Sequence, residues 1–125
     1  HEYLKLFGVD HWAGEWVVNL PYGAARRVEM ARALVTEPKV LLLDEPTVGM
    51  TTEELDDMIE VIRSVHQRFG LAIFLIEHRL KVVAELCHEV LCLDFGQVIC
   101  RGGPIEVQND PRVIEAYLGD EKVVV

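Results

Sequence analysis

Val40-Leu41-Leu42-Leu43-Asp44-Glu45-Pro46 is the stretch on which the fold turns. Four consecutive apolar residues are too few for a helix. They read as a strand covered on both faces, the kind that parallel sheets contain. Upstream, Ala24, Val28, Ala31 and Val35 share one face of a helical pattern over residues 24–36, and Pro38 ends it. Downstream, Thr51-x-x-Glu54 is a capping-box pattern. Leu55, Met58, Ile59, Ile62, Val65 and Phe69 follow at helical spacing, and Gly70 stands where a helix ends in glycine. Residues 71–76 then form a second apolar run. Two buried strands joined by a helix make a βαβ crossover.

The rest of the chain continues the alternation. Residues 79–86 read as a helix with Leu80, Val83, Ala84 and Cys87 inward. Residues 90–93 and 97–100 read as short strands around a turn at Phe95-Gly96. Gly102-Gly103-Pro104 opens a short helix, and Asp110-Pro111 caps a last one. That last helix packs through Val113, Ile114, Tyr117 and Leu118 and ends at Gly119. Residues 2–7 read as a helical stub. The expected fold is α/β, one domain without a linker: a parallel sheet flanked by helices, with a short C-terminal hairpin and helices.

Composition narrows the functional classes. The 125 residues are 50% apolar and 26% charged, which is globular rather than disordered composition. The net charge of −9 argues against broad electrostatic binding to nucleic acid. No apolar run approaches the roughly 20 residues of a membrane-spanning helix. Cys87, Cys92 and Cys100 are odd in number and lack Cys-x-x-Cys spacing, so they read as small apolar residues in a reducing compartment. The chain opens on His1 rather than Met, which suggests a fragment.

Three places carry candidate chemistry. Asp44 and Glu45 leave the first strand at its carboxyl end, where parallel α/β sheets bind ligands. Adjacent carboxylates there can divide two tasks, one holding Mg²⁺ on a nucleotide and one polarising an attacking water. A solvated turn is the plainer reading of the pair. Ile76-Glu77-His78 ends the second strand, and His78 there could reach a phosphate or be an ordinary surface histidine. Leu20-Pro21-Tyr22-Gly23-Ala24 enters a helix whose first amides could meet an anion, or simply begins a helix. His66 and His88 have no metal-ligand spacing.

In this order, the three elements resemble the C-terminal half of an ABC-transporter ATPase, a P-loop NTPase. Leu20-Pro21-Tyr22-Gly23-Ala24 falls where that family has its signature, commonly Leu-Ser-Gly-Gly-Gln. Leu43-Asp44-Glu45-Pro46-Thr47 matches the Walker B strand with its glutamate. Val48-Gly49-Met50-Thr51 falls in the D-loop, and His78 matches the switch histidine. Asn19–Gly23 with Arg26-Arg27, and Val107-Gln108-Asn109-Asp110-Pro111 with Tyr117-Leu118-Gly119 near the end, look like the branched-chain amino-acid importer ATPases, with the urea-importer ATPases second. The resemblance covers almost the whole chain. It implies ATP and Mg²⁺ as ligands, with Asp44 serving Mg²⁺ through water, Glu45 the attacking water and His78 the γ-phosphate. Leu20, Pro21, Tyr22, Gly23 and Ala24 would meet ATP held by a second ATPase subunit in a head-to-tail dimer. It also implies membrane permease partners, no nucleic-acid partner, and a peripheral place on the cytoplasmic face of the inner membrane.

The sequence departs from the family pattern at three residues and in two missing motifs. Ala24 replaces the usual glutamine, Pro21 the serine, and Thr51 the D-loop aspartate. No Gly-x-x-x-x-Gly-Lys-[Ser/Thr] and no glutamine loop occur among the 125 residues, which suggests a truncated domain. These departures keep open a degenerate, non-catalytic half-domain that binds or regulates partners. A DNA-repair or chromosome-organising ATPase would also pair a signature with Walker B. It would need long heptad coils and a basic surface, which this chain lacks. The missing phosphate loop gives an immediate expectation: the purified 125-residue chain neither binds Mg-ATP at micromolar concentration nor turns it over. Calorimetry and phosphate release test this, and micromolar binding with steady turnover would overturn it.

Overall fold

A computed structural model describes residues 1–118. The chain divides into two compact units, His1–Glu77 and the part from His78 onward. In the first unit, α1 (Glu2–Leu6) and two short 3₁₀ turns lead into α2 (Tyr22–Leu34). Then come β1 (Val40–Asp44), α3 (Thr52–Phe69) and β2 (Ala72–Ile76). The strands β1 and β2 pair in parallel, Val40 opposite Ala72 through Asp44 opposite Ile76. The expected βαβ unit is therefore present.

Helix α3 forms as its pattern predicts. Thr51 accepts from the Glu54 amide while the Glu54 carboxylate accepts from the Thr51 amide, so two otherwise orphaned donors are satisfied. Leu55, Met58, Ile59, Ile62 and Val65 are buried on one face. Each such side chain contributes about 1.5–3 kcal/mol. Phe69 is more exposed and stacks on Tyr3, ring centroids 5.9 Å apart. Gly70 ends the helix at φ 61°, a left-handed conformation that costs glycine nothing.

Helix α2 starts two residues earlier than its pattern suggests and ends at Leu34. Pro21 supplies an extended N-cap, so Tyr22, Gly23 and Ala24 all lie in the first turn. The buried set is Met30, Ala31 and Leu34; Val35 lies beyond the helix and is exposed. Glu37, at φ 49°, reverses the chain before Pro38.

The strands depart from expectation in one important respect. Burial alternates along β1: Leu41 and Leu43 are inside, whereas Leu42 is 72% exposed and Val40 is exposed with it. In β2, Phe74 is 62% exposed and Ile76 is exposed too. A two-stranded parallel sheet here is covered on one face, not both. An apolar run shows that both faces suit an apolar surrounding; it does not show what supplies the second cover.

The second unit contains α4 (Leu80–Leu86), β3 (Val90–Asp94), β4 (Gln97–Gly102), α5 (Pro104–Gln108) and α6 (Pro111–Val113), which passes into a π-helical turn at Ile114–Leu118. The strands β3 and β4 are antiparallel. Their turn has Phe95 at φ 44° and Gly96 at φ 77°, the two positive values of a type I′ hairpin. The register slips beyond Cys92–Cys100, leaving Ile99 as the extra residue of a bulge. Cys92, Cys100, Val107 and Val113 form a small core flanked by Val90 and Ile99, so two cysteines pack as small apolar residues. Cys87, Cys92 and Cys100 form no disulfide.

Helix α4 turns a different face inward than expected: Val82 is fully buried, Val83 and Cys87 are half-buried and Ala84 is exposed. Ile114 and Tyr117 are largely exposed, although the Tyr117 hydroxyl donates to the Leu93 carbonyl. Gly119 lies outside the described residues. Asp110 caps α6 by accepting from the Arg112 amide at 2.8 Å, and the Arg112 guanidinium donates to both carboxylate oxygens. The guanidinium, then the amide, hold the Asp110 carboxyl well below the usual carboxylate range. A depressed folded-state pKa means that this contribution is present above the unfolded value near 3.8. It is lost progressively as pH falls below that value and through the lower folded one.

The Thr51–Glu54 box yields a stability test. Thr51→Ala removes the side-chain acceptor and should cost about 1 kcal/mol, read as a lower urea midpoint at unchanged slope. An unchanged midpoint would mean that the box does not hold α3 in solution.

Candidate nucleotide site

The register of β1 against β2 places the first candidate group. Asp44, the last residue of β1, lies opposite Ile76, and both it and Glu45 are exposed. Glu45 has φ 44° and donates its amide to the Ile76 carbonyl at 2.9 Å. The chain therefore turns sharply at the strand end and remains tied to β2. Two further amides close the loop: Val48 donates to Glu45 and Met50 to Thr47, each at 3.2 Å.

Sequence reasoning passed over two residues here. Thr47 is fully buried, and its amide donates to Oε1 of Glu77 at 3.2 Å while its hydroxyl donates to the same oxygen. Thirty positions separate the partners, so no local pattern announces the pair. Only their places, one in the loop after β1 and one directly after β2, could have pointed to it.

The second candidate group sits at the start of α2. No side chain caps that helix. Gly23 and Ala24 are half-buried, Leu20 is half-buried, and Pro21 and Tyr22 are exposed. The Arg26 guanidinium lies over the Tyr22 ring at 5.1 Å and donates to its hydroxyl at 3.0 Å. It also donates to Glu29 at 2.8 Å, and the Glu29 and Tyr22 bonds raise the Arg26 pKa. A Cβ on Gly49 would stand 3.6 Å from Cε1 of Tyr22. The structure thus brings the expected signature and the expected D-loop close together within one chain. A cavity of about 180 Å³ beside them is lined by Trp12, Gly23, Arg27, Met50 and Glu54 among others.

His78 is exposed and opens the second unit, two residues after the end of β2. No cluster of three or more His, Cys, Asp or Glu suited to a metal occurs among the described residues. Asp44 does suit Mg²⁺ carried by a nucleotide. An exposed carboxylate is a hard oxygen donor, and Mg²⁺ of this kind takes one or two carboxylates, phosphate oxygens and water.

Comparison with known proteins bears on the whole arrangement. Residues 1–48 match the ABC transporter family model, and residues 97–123 match that of the branched-chain amino acid ATP-binding cassette transporter. The crystal structure of the ADP conformation of MJ1267, an ATP-binding cassette of an ABC transporter, superposes with a TM-score of 0.84 at 29% identity. That match covers 94% of this chain and 48% of that one. This chain belongs to the ABC ATPase family. Its fold is the P-loop NTPase type of that family, present in part. The high-affinity branched-chain amino acid transport ATP-binding protein LivG of Salmonella typhimurium is 36% identical over 94% of this chain and 46% of its own length. The zinc import ATP-binding protein ZnuC of Halorhodospira halophila is 35% identical over 91% of this chain and 45% of its own. The chain thus spans about half the length of these relatives.

The two glycines of the site answer differently to substitution. A Cβ on Gly23 meets only Oε1 of Glu54, at 3.5 Å, which is ordinary contact. Gly23→Ala should leave stability unchanged or raise it by up to about 1 kcal/mol. Gly49 has φ 76° and Tyr22 beside it, so Gly49→Val should cost about 1–2 kcal/mol. Urea unfolding of both variants checks the contrast; equal losses would contradict the geometry.

Proposed function

We propose that this chain is part of an ATP-hydrolysing subunit that powers an importer of branched-chain amino acids. The reading is carried by an Asp44-Glu45 pair at the end of a parallel strand in a chain 36% identical to LivG over 94% of its length. The match of residues 97–123 to the branched-chain amino acid model favours this cargo over the zinc cargo named for ZnuC. The phosphate-cradling lysine loop is not among the 125 residues. The activity is therefore that of a complete cassette, and residues 1–125 supply its signature-to-C-terminal portion.

In that cassette Glu45 takes a proton from the attacking water, a role worth about 10²–10⁴ in rate. Glu45 sits on a left-handed backbone turn, and its amide is fixed on β2. Asp44 would hold Mg²⁺ through water, and the ion would supply charge neutralisation on the phosphates. His78 hydrogen-bonds the γ-phosphate in its own subunit. Leu20, Pro21, Tyr22, Gly23 and Ala24 face the ATP of a second subunit in a head-to-tail dimer. The uncapped amides of α2 offer that phosphate partial positive charge. No helix among the described residues is long and apolar enough to cross a membrane. On this reading the subunit works peripherally, against permease subunits at the cytoplasmic face of the inner membrane.

Ala24 favours a second reading, a half-domain that binds partners without catalysis, because the signature's usual glutamine is missing. One substitution separates the two. In a complete cassette carrying these residues, Glu45→Gln should keep ATP binding and lower hydrolysis by at least about 10²-fold. Nucleotide binding and phosphate release are the measurements. A Glu45→Gln protein that hydrolyses at the parent rate removes Glu45 from catalysis, and a parent that hydrolyses nothing supports the second reading.

A further inference from the structure

One carboxylate holds the loop that presents Glu45. Oε1 of Glu77 receives both the amide and the hydroxyl of Thr47, and Thr47 is fully buried. The neighbouring residue, Ile76, receives the amide of Glu45. Consecutive residues at the end of β2 therefore grip two points of the loop, 45 and 47. Between them lies Pro46, which has no amide to donate. Glu45 itself occupies left-handed backbone, a conformation that a glutamate keeps only where its surroundings impose it. A buried threonine hydroxyl and amide need acceptors, and Glu77 supplies both.

We propose that Glu77 is a positioning residue for Glu45: it clamps Thr47 and so fixes the left-handed turn from which the Glu45 carboxylate is presented. The clamp needs an acceptor oxygen, not a negative charge. A glutamine at position 77 offers an oxygen at the same place, whereas an alanine offers none. The catalytic consequence rests on the reading of Glu45 as the base; the backbone consequence does not.

Two measurements test the proposal. The first is amide hydrogen exchange on the 125-residue chain, with no nucleotide and no activity required. Glu77→Ala should speed exchange at Thr47 and Glu45 by at least about tenfold while the remaining strand amides keep their protection, and Glu77→Gln should leave Thr47 and Glu45 protected. Unchanged protection in Glu77→Ala, or equal loss in both variants, overturns the clamp. If Glu77→Ala fails to fold, Thr47→Val serves instead. It deletes only the hydroxyl donor at constant volume, and exchange at Glu45 should rise by a smaller factor; no rise overturns the clamp.

The second measurement is steady-state hydrolysis by a complete cassette carrying these residues. Glu77→Ala should lower kcat by about 10–10²-fold with KM nearly unchanged, as misplacement of a reacting group does. Glu77→Gln should restore kcat to within about threefold. Added to Glu45→Gln, Glu77→Ala should cost nothing more, because the group being positioned is gone. A second full loss in that double variant overturns the proposal. If Glu45→Gln alone leaves hydrolysis intact, the catalytic reading of Glu45 fails, and the exchange result still decides whether the clamp exists.

Discussion

The parallel pairing of β1 with β2 is the constraint on which the first unit depends. With Asp44 opposite Ile76, the two strands end level. Everything that leaves them does so at one edge: Glu45 and its loop from β1, Glu77 from β2. A slip of one residue would exchange buried Leu41 and Leu43 for Leu42, and would carry the carboxylate pair to a different height on β2. The eighteen residues of α3 make this pairing possible by returning the chain to the start of a neighbouring parallel strand. The capping box and the left-handed Gly70 set where that return begins and ends.

The loop after β1 also works in a second direction. Through Gly49 it lies against Tyr22, in the first turn of α2. Tyr22 is in turn held by Arg26. The carboxylate loop thus has β2 on one side and the α2 entry on the other. Residues as far apart in sequence as Tyr22 and Gly49, or Thr47 and Glu77, share one mechanical frame.

Local chemistry explains how much of this was legible. The α3 cap, Gly70, the hairpin turn at Phe95-Gly96 and the Asp110 cap each depend on residues within a few positions, and each formed as its pattern predicts. The place of Asp44-Glu45 at the end of β1 was legible for the same reason: an apolar run followed by two carboxylates is a local signal. The errors came where the deciding partner is remote. The start of α2 is the local exception: Pro21, directly before Tyr22, is the N-cap and adds two residues to the helix. The inward face of α4 depended on which neighbour covers it, and seven residues carry too little periodicity to choose between Val82 and Val83. The second face of the sheet reads as buried in sequence because Val40, Leu42, Phe74 and Ile76 are all apolar, although they are exposed. The Thr47–Glu77 pair was invisible because both residues are ordinary in their local settings, and only the sheet brings them together.

The left-handed backbone at Glu45 has an evolutionary consequence. Glycine fits that conformation without steric cost, and asparagine tolerates it better than glutamate does. Replacing Glu45 with glycine would relieve local strain of roughly 1 kcal/mol. Selection for stability alone therefore pushes this position away from glutamate. A lineage that stopped using the turn for chemistry would drift toward glycine or asparagine and become slightly more stable as it did so. Under the proposed role of Glu45 as the base, the glutamate in this chain holds that strain in exchange for catalysis.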